Sequence, residues 1–474
     1  MEIRKNLYKY VIAAIMLAPM MSSCEKQLEE IQPQQEVSTD LAFNDELSSF
    51  GSLMGVYSRA QFLDAFGGTV GIISEYQPDN VEFIGSFITL QEINNFAAIA
   101  SNSTIEVIWR DHYRTIFAAN AVILNVPNVE VDGFTVEEKA QFVAEAKFMR
   151  ALSYFQLVNI FGQPFQVSNG GTLGVPLVTE PFNGTIELPT RATVAEVHAL
   201  IKSDLEAGVA DLADDLGDPL ETRGRATKGA ARAMLSRLHL YRGEWDQAAS
   251  FARQVIDAGL YDLASDHSFW SSKNTSETIF AIQNSATDNG ATGSGGWASF
   301  TRPAQAGGRG DAPFSQDLID AHEAGDARLA VSSEQDGVLF SLKFSDAITN
   351  ADNVSVIRTT EVYLNLAEAL AESSAGVNSE ALAIVNQLRT RAGLGNLAPA
   401  PTTKQELVDA ILNERRLELA FEGHRRMDLL RKEKALRVDG PFAAQAVFGG
   451  PKTILPIPTR ERDANPNLEQ NPSY

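Results

Sequence analysis

The sequence predicts a mostly α-helical protein: irregular tetratricopeptide-like helical hairpins that carry a loop-rich region with short strands. Three observations lead there. Apolar residues return at three- and four-residue spacing through several long segments. Two of these, 227–241 and 244–258, are divided by a short turn at Gly243 and are rich in alanine, which lets paired helices approach closely. One stretch, about 262–356, breaks the pattern with Gly, Asn, Ser and Thr.

At the start of the chain, Arg4, Lys5 and Lys9 precede the apolar run from Val11 to Met21. Ser22, Ser23 and then Cys24 follow, the only cysteine among 474 residues. A basic head, a short apolar core and small residues make a secretory signal, and the run is too short to cross a bilayer. The Met-Met-Ser-Ser-Cys junction resembles the lipoprotein boxes of Bacteroidetes-type bacteria. Residues 1–23 are therefore expected to be a lipoprotein signal peptide and Cys24 the lipidated residue; an ordinary cleaved signal followed by a chance cysteine is the alternative. Residues 24–40 are polar and aperiodic, the composition of a flexible tether. Residues 41–474 are expected to form a single domain.

Helices are expected at 47–66 and 103–126, and at 137–161, where Glu137 and Glu138 favour the positive end of the helix dipole and Phe148, Leu152 and Phe155 mark one face. Prolines and glycines open 162–189 into loop. Further helices are expected at 193–216, in the pair around Gly243, at 359–371 with 379–391, and at 404–421. The loop-rich block holds two strand candidates, 277–283 and 337–344. Its composition suggests that it does not build the main helical core.

A formal charge of −22 argues against nucleic acid and acidic lipid as partners. One cysteine excludes a disulfide framework, a cysteine zinc site and a Cys-X-X-Cys redox pair. The six histidines stand singly, and no nucleophile elbow, phosphate loop or dinucleotide fingerprint is present, so no catalytic or metal residue is assigned. Glu414, Arg415, Arg416, Glu418 and Arg425 read as a charged network near a helix end rather than a carboxylate pair across a cleft. No cofactor is expected. The acidic loops leave room for a structural calcium ion, but no spacing of oxygen ligands prescribes one.

A binding site is easier to place. Trp297 follows Gly293-Ser294-Gly295-Gly296, with Asp288 and Asn289 nearby and Arg302 and Arg309 beyond. An indole on a glycine-rich loop suits the apolar face of a pyranose ring, and Asn, Asp and Arg suit its hydroxyls. The competing reading is an indole folded back as a plug. Trp270 is a second candidate, and Tyr76, Gln77, Asp79 and Asn80 form an early polar loop that could line the same surface.

Motifs along almost the whole chain carry a resemblance. AEAKFMRALSYFQLVNIFG at 144–162 is followed by GVPLVTEP at 174–181 and by ATKGAARAMLSRLHLYRGEWDQAASFARQVIDAGLYDL at 226–263. IRTTEVYLNLAEAL at 357–370, VNQLRTRAGL at 385–394 and ILNERRLELAFEGHRRMDLLR at 411–431 come next, then LPIPTRE at 455–461 and NPNLEQNPSY at 465–474. In this order they resemble the SusD/RagB family of outer-membrane nutrient-binding lipoproteins. The resemblance implies four irregular tetratricopeptide-like hairpins and a lipid-anchored protein facing the cell exterior. It also implies capture of oligosaccharides or polysaccharides for a partner TonB-dependent (SusC-like) transporter barrel. Peptide capture for the same kind of transporter is the alternative; a glycoside hydrolase is a third reading, and a purely structural surface protein a fourth. The quoted motifs are scaffold motifs and assign no ligand residue. The acidic surface leans the expectation toward neutral glycan.

Overall fold

The computed structural model describes residues 39–182, 184–290 and 295–474. The signal segment, Cys24 and the tether as far as residue 38 lie outside them, as do Gly293 and Ser294. Thr39 and Asp40, the end of the expected tether, already belong to a short helix, Thr39–Ala42.

The longer helices are α1 Glu46–Ala60, α2 Thr69–Tyr76, α3 Ser103–Asn125, α4 Val136–Phe161, α5 Val194–Asp211, α6 Lys228–Arg242, α7 Trp245–Asp257, α8 Thr359–Ser373, α9 Ser379–Arg391 and α10 Lys404–Leu419. From α3 to α10 each helix packs on its successor, the stacking of irregular helical hairpins. Thr135 with Glu138, Thr193 with Glu196 and Thr403 with Glu406 form capping boxes that fix the starts of α4, α5 and α10. Gly243, in the left-handed region at φ 74°, ends α6 and donates its N–H to carbonyls of the last turn. The chain can then turn at once into α7, whose Ala248, Ala252 and Val255 are buried. The central helix α4 is buried over most of its circumference, from Phe142 through Phe161.

Three expected helices end well before the expected residue or turn away at it. The segment expected to end at 66 stops at Ala60, and Leu63–Gly67 makes a wide turn in which a Cβ on Gly67 would meet the Gln61 carbonyl at 2.7 Å. The helix expected to reach 216 ends at Asp211, where the buried Leu212 turns extended. The helix expected to reach 421 ends at Leu419, because Ala420 is extended and the buried Phe421 sits at φ 65°.

The strands are β1 Thr278–Ile282, β2 Ser332–Gln335, β3 Val338–Ser341 and β4 Val354–Arg358. β1 pairs antiparallel with β4, Thr278 opposite Arg358 and Ile282 opposite Val354. β2 and β3 form a hairpin whose Asp336-Gly337 turn has both residues at positive φ. The loop-rich block nevertheless contributes to the core. Ile279, Phe280, Trp297, Phe300 and Phe344 are buried in one cluster with the helices, and Phe280 meets Phe148 of α4 edge-on at 5.1 Å. Glycine and serine set the course of these loops; the large residues between them still go inward.

Candidate functional site

The early loop and the loop-rich block meet along a seam. Val81 bridges antiparallel to Phe314, Glu82 N–H donates to the Pro313 carbonyl at 3.2 Å, and Ile84 N–H to the Asp311 carbonyl at 3.1 Å. Ser315 closes one end, its N–H donating to the Asn80 carbonyl and its hydroxyl to the Asp79 carbonyl at 2.6 Å. Beside the seam lies a cleft of about 650 Å³, lined among others by Asp79, Glu82, Phe83, Asn94, Asp317 and Arg425. That volume falls in the range of ligand-binding pockets, about 300–1,000 Å³.

The charges in this cleft largely neutralise one another. Arg425 holds both Asp79 oxygens at 2.6 Å, Arg416 holds Asp317 at 2.6 Å, and Arg437 donates to Asn94 at 2.7 Å. Burial alone would raise Asp79, but Arg425 and Arg416 hold its carboxyl below the usual range. Phe83 packs edge-on against Tyr76 at 4.8 Å beneath the cleft. Farther along the same segment Phe87 is 51% exposed, flanked by exposed Ile84 and Ile88. The Arg309 guanidinium lies 3.8 Å from the centre of the Phe87 ring and 4.9 Å from that of Phe300, and pairs with Asp311.

A second, smaller cleft of about 120 Å³ opens in the loop-rich block, with Phe269, Trp270, Asn274, Asn353 and Ser355 on its walls. Beneath it lies the charged network. Arg358 binds Glu277 at 2.9 Å and Glu422 at 2.8 Å; Arg391 binds Glu418 at 2.7 Å; Lys343 binds Glu422 at 2.7 Å; Arg328 binds Glu414 at 2.6 Å. Burial opposes ionisation of Glu422, yet Arg358 and Lys343 hold it down to about 2. For Glu414 burial wins over Arg328, and its carboxyl is pushed up to about 7. Glu75, at the end of α2, is likewise pushed up to about 7 by burial, although Asn80 and the Gly423 N–H donate to it. A network this deep positions loops; its carboxylates are paired with Arg and Lys side chains, and of the four only Glu277 borders the small cleft.

The sequence-predicted residues do not come together in one place. Asp79 lines the large cleft, whereas Tyr76, Gln77 and Asn80 are buried beside it. Gln77 accepts from Arg426, and Asn80 joins Glu75 to Arg416, so both hold the loop. Arg309 sits on the exposed Phe87 ridge, and Arg302 is half-buried behind it. Trp270 is half-buried on the small cleft. Asp288 and Asn289 form a separate turn, Asn289 donating to the carbonyls of Ser285 and Thr349.

Trp297 is the main correction. It is only 5% exposed, stacks on Phe344 at 4.8 Å, and fills the notch left by Gly71, where a Cβ would lie 1.8 Å from its Cζ2. The plug reading is the one the structure shows. Phe83 and Phe87 went unread because EFIGSF has no helical or strand period; the available signal was aromatic residues recurring in an aperiodic, glycine-containing stretch. Among the described residues no group of three or more His, Cys, Asp or Glu could hold a metal ion.

Comparison with known proteins bears on this arrangement. Residues 340–474 match the model of the SusD family, and residues 28–240 match a family described as starch-binding and associating with the outer membrane. SusD-like protein P25 of Formosa agariphila is 26% identical over 97% of both chains, and SusD-like protein P2 of the same organism 28% identical over 81% of this chain and 83% of that one. The crystal structure of a SusD superfamily protein from Bacteroides thetaiotaomicron superposes with a TM-score of 0.80 at 25% identity, covering 92% of this chain and all of that one. A laminarin-binding SusD-like protein gives 0.73 at 27% identity, covering 91% of this chain and all of that one. Stacked helical hairpins, motifs along the chain and two SusD-type models that together span most of its length agree: the chain belongs to the SusD/RagB family.

Proposed function

We propose that this protein captures oligosaccharides in the cleft beside the 81–84/311–314 seam and passes them to a TonB-dependent transporter in the outer membrane, held at the cell surface by a lipid on Cys24. The observation that carries the ligand site is a 650 Å³ cleft with Phe83 in its lining, and with the exposed Phe87 four residues farther along the same segment. A ring face supplies stacking with easy release, and polar groups around it supply hydroxyl recognition. Because Asp79, Asp317 and Arg425 are already paired, the cleft offers little to a charged polymer and favours neutral glycan. Residues 41–474 act as one domain in this reading, with the transporter supplying the route inward.

Affinity electrophoresis through gels containing single polysaccharides, laminarin among them, tests the site. Retention is expected in at least one neutral gel, with Phe87→Ala weakening it about tenfold, the upper range of one aromatic contact. Retention indifferent to both Phe87→Ala and Phe83→Ala would remove the site. Binding of peptides without retention on any glycan would replace the ligand class. Cys24→Ser is expected to release the protein from the membrane fraction, and co-purification with a large β-barrel protein tests the transporter partnership.

A further inference from the structure

The two aromatic residues of the seam segment have different surroundings. Phe83 packs against the apolar core, whereas Phe87 stands outside it among the described residues and is half-exposed. A phenylalanine without core neighbours exchanges rotamers, because little packing opposes its conformational entropy. The backbone beneath it is nevertheless fixed at both ends. Ile84 N–H donates to the Asp311 carbonyl at 3.1 Å, and the Phe87 carbonyl accepts the N–H groups of Leu90 and Gln91 at 3.1 and 2.9 Å. Between them Gly85 passes close to the Asp311 carboxyl group, where a Cβ would lie 2.7 Å from its Cγ.

The ring itself is left to be fixed by a contact from another part of the chain. The Arg309 guanidinium carbon lies 3.8 Å from the centre of the Phe87 ring, in stacking contact, and 4.9 Å from that of the buried Phe300. The Arg309 side chain is only 14% exposed, and a cation–π contact shielded from water is stronger than one in it. Asp311 pairs with the guanidinium, and its own carbonyl holds Ile84, so one residue fastens both the backbone of this segment and the cation on its ring. Arg309 N–H donates to the Ser299 carbonyl at 2.7 Å, which ties the arginine to the loop-rich block. Its Nε is buried and makes no hydrogen bond among the described residues, in keeping with a guanidinium placed by ring contact.

We infer that Arg309 is a positioning residue for the seam site: it holds the Phe87 ring with one face covered and the other turned outward, so that ligand meets a preset, one-sided platform. The inference rests on the seam as the ligand site, but the positioning itself is testable without ligand. A ring already held in place loses less rotamer freedom on binding, so the gain is pre-organisation rather than a further contact to ligand.

A para-fluorophenylalanine placed at position 87 alone gives one ¹⁹F signal that reports the ring in the absence of any glycan. Arg309→Leu is combined with Asp311→Asn so that no buried carboxylate is left unpaired. In this paired replacement the signal is expected to narrow as the ring gains rotamer freedom, measured below the unfolding midpoint of the variant; an unchanged width overturns the inference. Should the pair not fold, Arg309→Lys keeps the charge and gives up the planar face, and the same narrowing is expected, with an unchanged width again overturning it. Retention in a polysaccharide gel that holds the unaltered protein supplies the second arm. The paired replacement is expected to weaken retention about threefold to fivefold, the range of one such contact. In a Phe87→Ala background it should add less than about 1.5-fold, because Arg309 acts through that ring. Equal losses in both backgrounds overturn the inference. Retention indifferent to both Phe87→Ala and Phe83→Ala sinks the seam reading, whereas an unchanged fluorine width with retention that depends on Phe87 sinks the Arg309 inference alone.

Discussion

The helical stack and the loop-rich block are held together by different means. In the stack, neighbouring helices bury apolar faces, caps fix their ends, and charged pairs such as Arg150–Asp204 between α4 and α5 stand at single crossings. In the block, short strands and loops bury a few large rings, and Arg358, Arg328, Lys343 and Glu277 are tied in one network to Arg391 of α9, Glu414 and Glu418 of α10 and Glu422 just after it. Helices satisfy their own backbone and need neighbours only for their apolar side. Irregular loops do not, so their position is set by side chains that reach across the chain.

The largest test of this contrast is Arg358→Ala. It leaves Glu277 and Glu422 buried with part of their compensation gone, and a loss of about 3–5 kcal/mol is expected in denaturant unfolding. A loss under about 1 kcal/mol would mean that the network does not hold the block. Next comes Glu75→Gln. The folded protein holds a proton on Glu75 up to about 7, whereas the unfolded chain releases it near 4.5. Its contribution is therefore present at low pH and fades as pH rises from about 4.5 through 7, by roughly 3 kcal/mol. The glutamine variant should show a flatter decline in unfolding free energy over that window; an unchanged slope would refute the assignment. The smallest effect belongs to the stack: Thr135→Ala removes one capping box and should cost about 1 kcal/mol of unfolding free energy. If this cap outweighed Arg358, the two regions would not differ as described.

The same contrast explains what the sequence made legible. The bounds of α9 agree with the sequence reading, α3 and α4 differ from it by one residue at one end and α6 by one residue at each end, because period and capping are local signals. The partner of β1 was missed: Val354–Arg358 lies more than seventy residues away and abuts α8, so its alternation is short and masked. At the candidate site, polarity drew attention to Asp79 and Arg309, and the structure sets both along the seam. Trp297 misled because its packing partners, Gly71 and Phe344, are distant in sequence; a glycine-rich neighbourhood says nothing about what lies above it in space.

The notch at Gly71 has an evolutionary consequence. A side chain there and an indole at 297 compete for the same volume, so neither position is free to vary alone. A relative with a larger residue at the first position is expected to carry a smaller one at the second, and swapping one without the other should yield a poorly folded chimera. Divergent members of the family would then keep the two positions in step across more than two hundred residues, while the sugar-facing surface drifts.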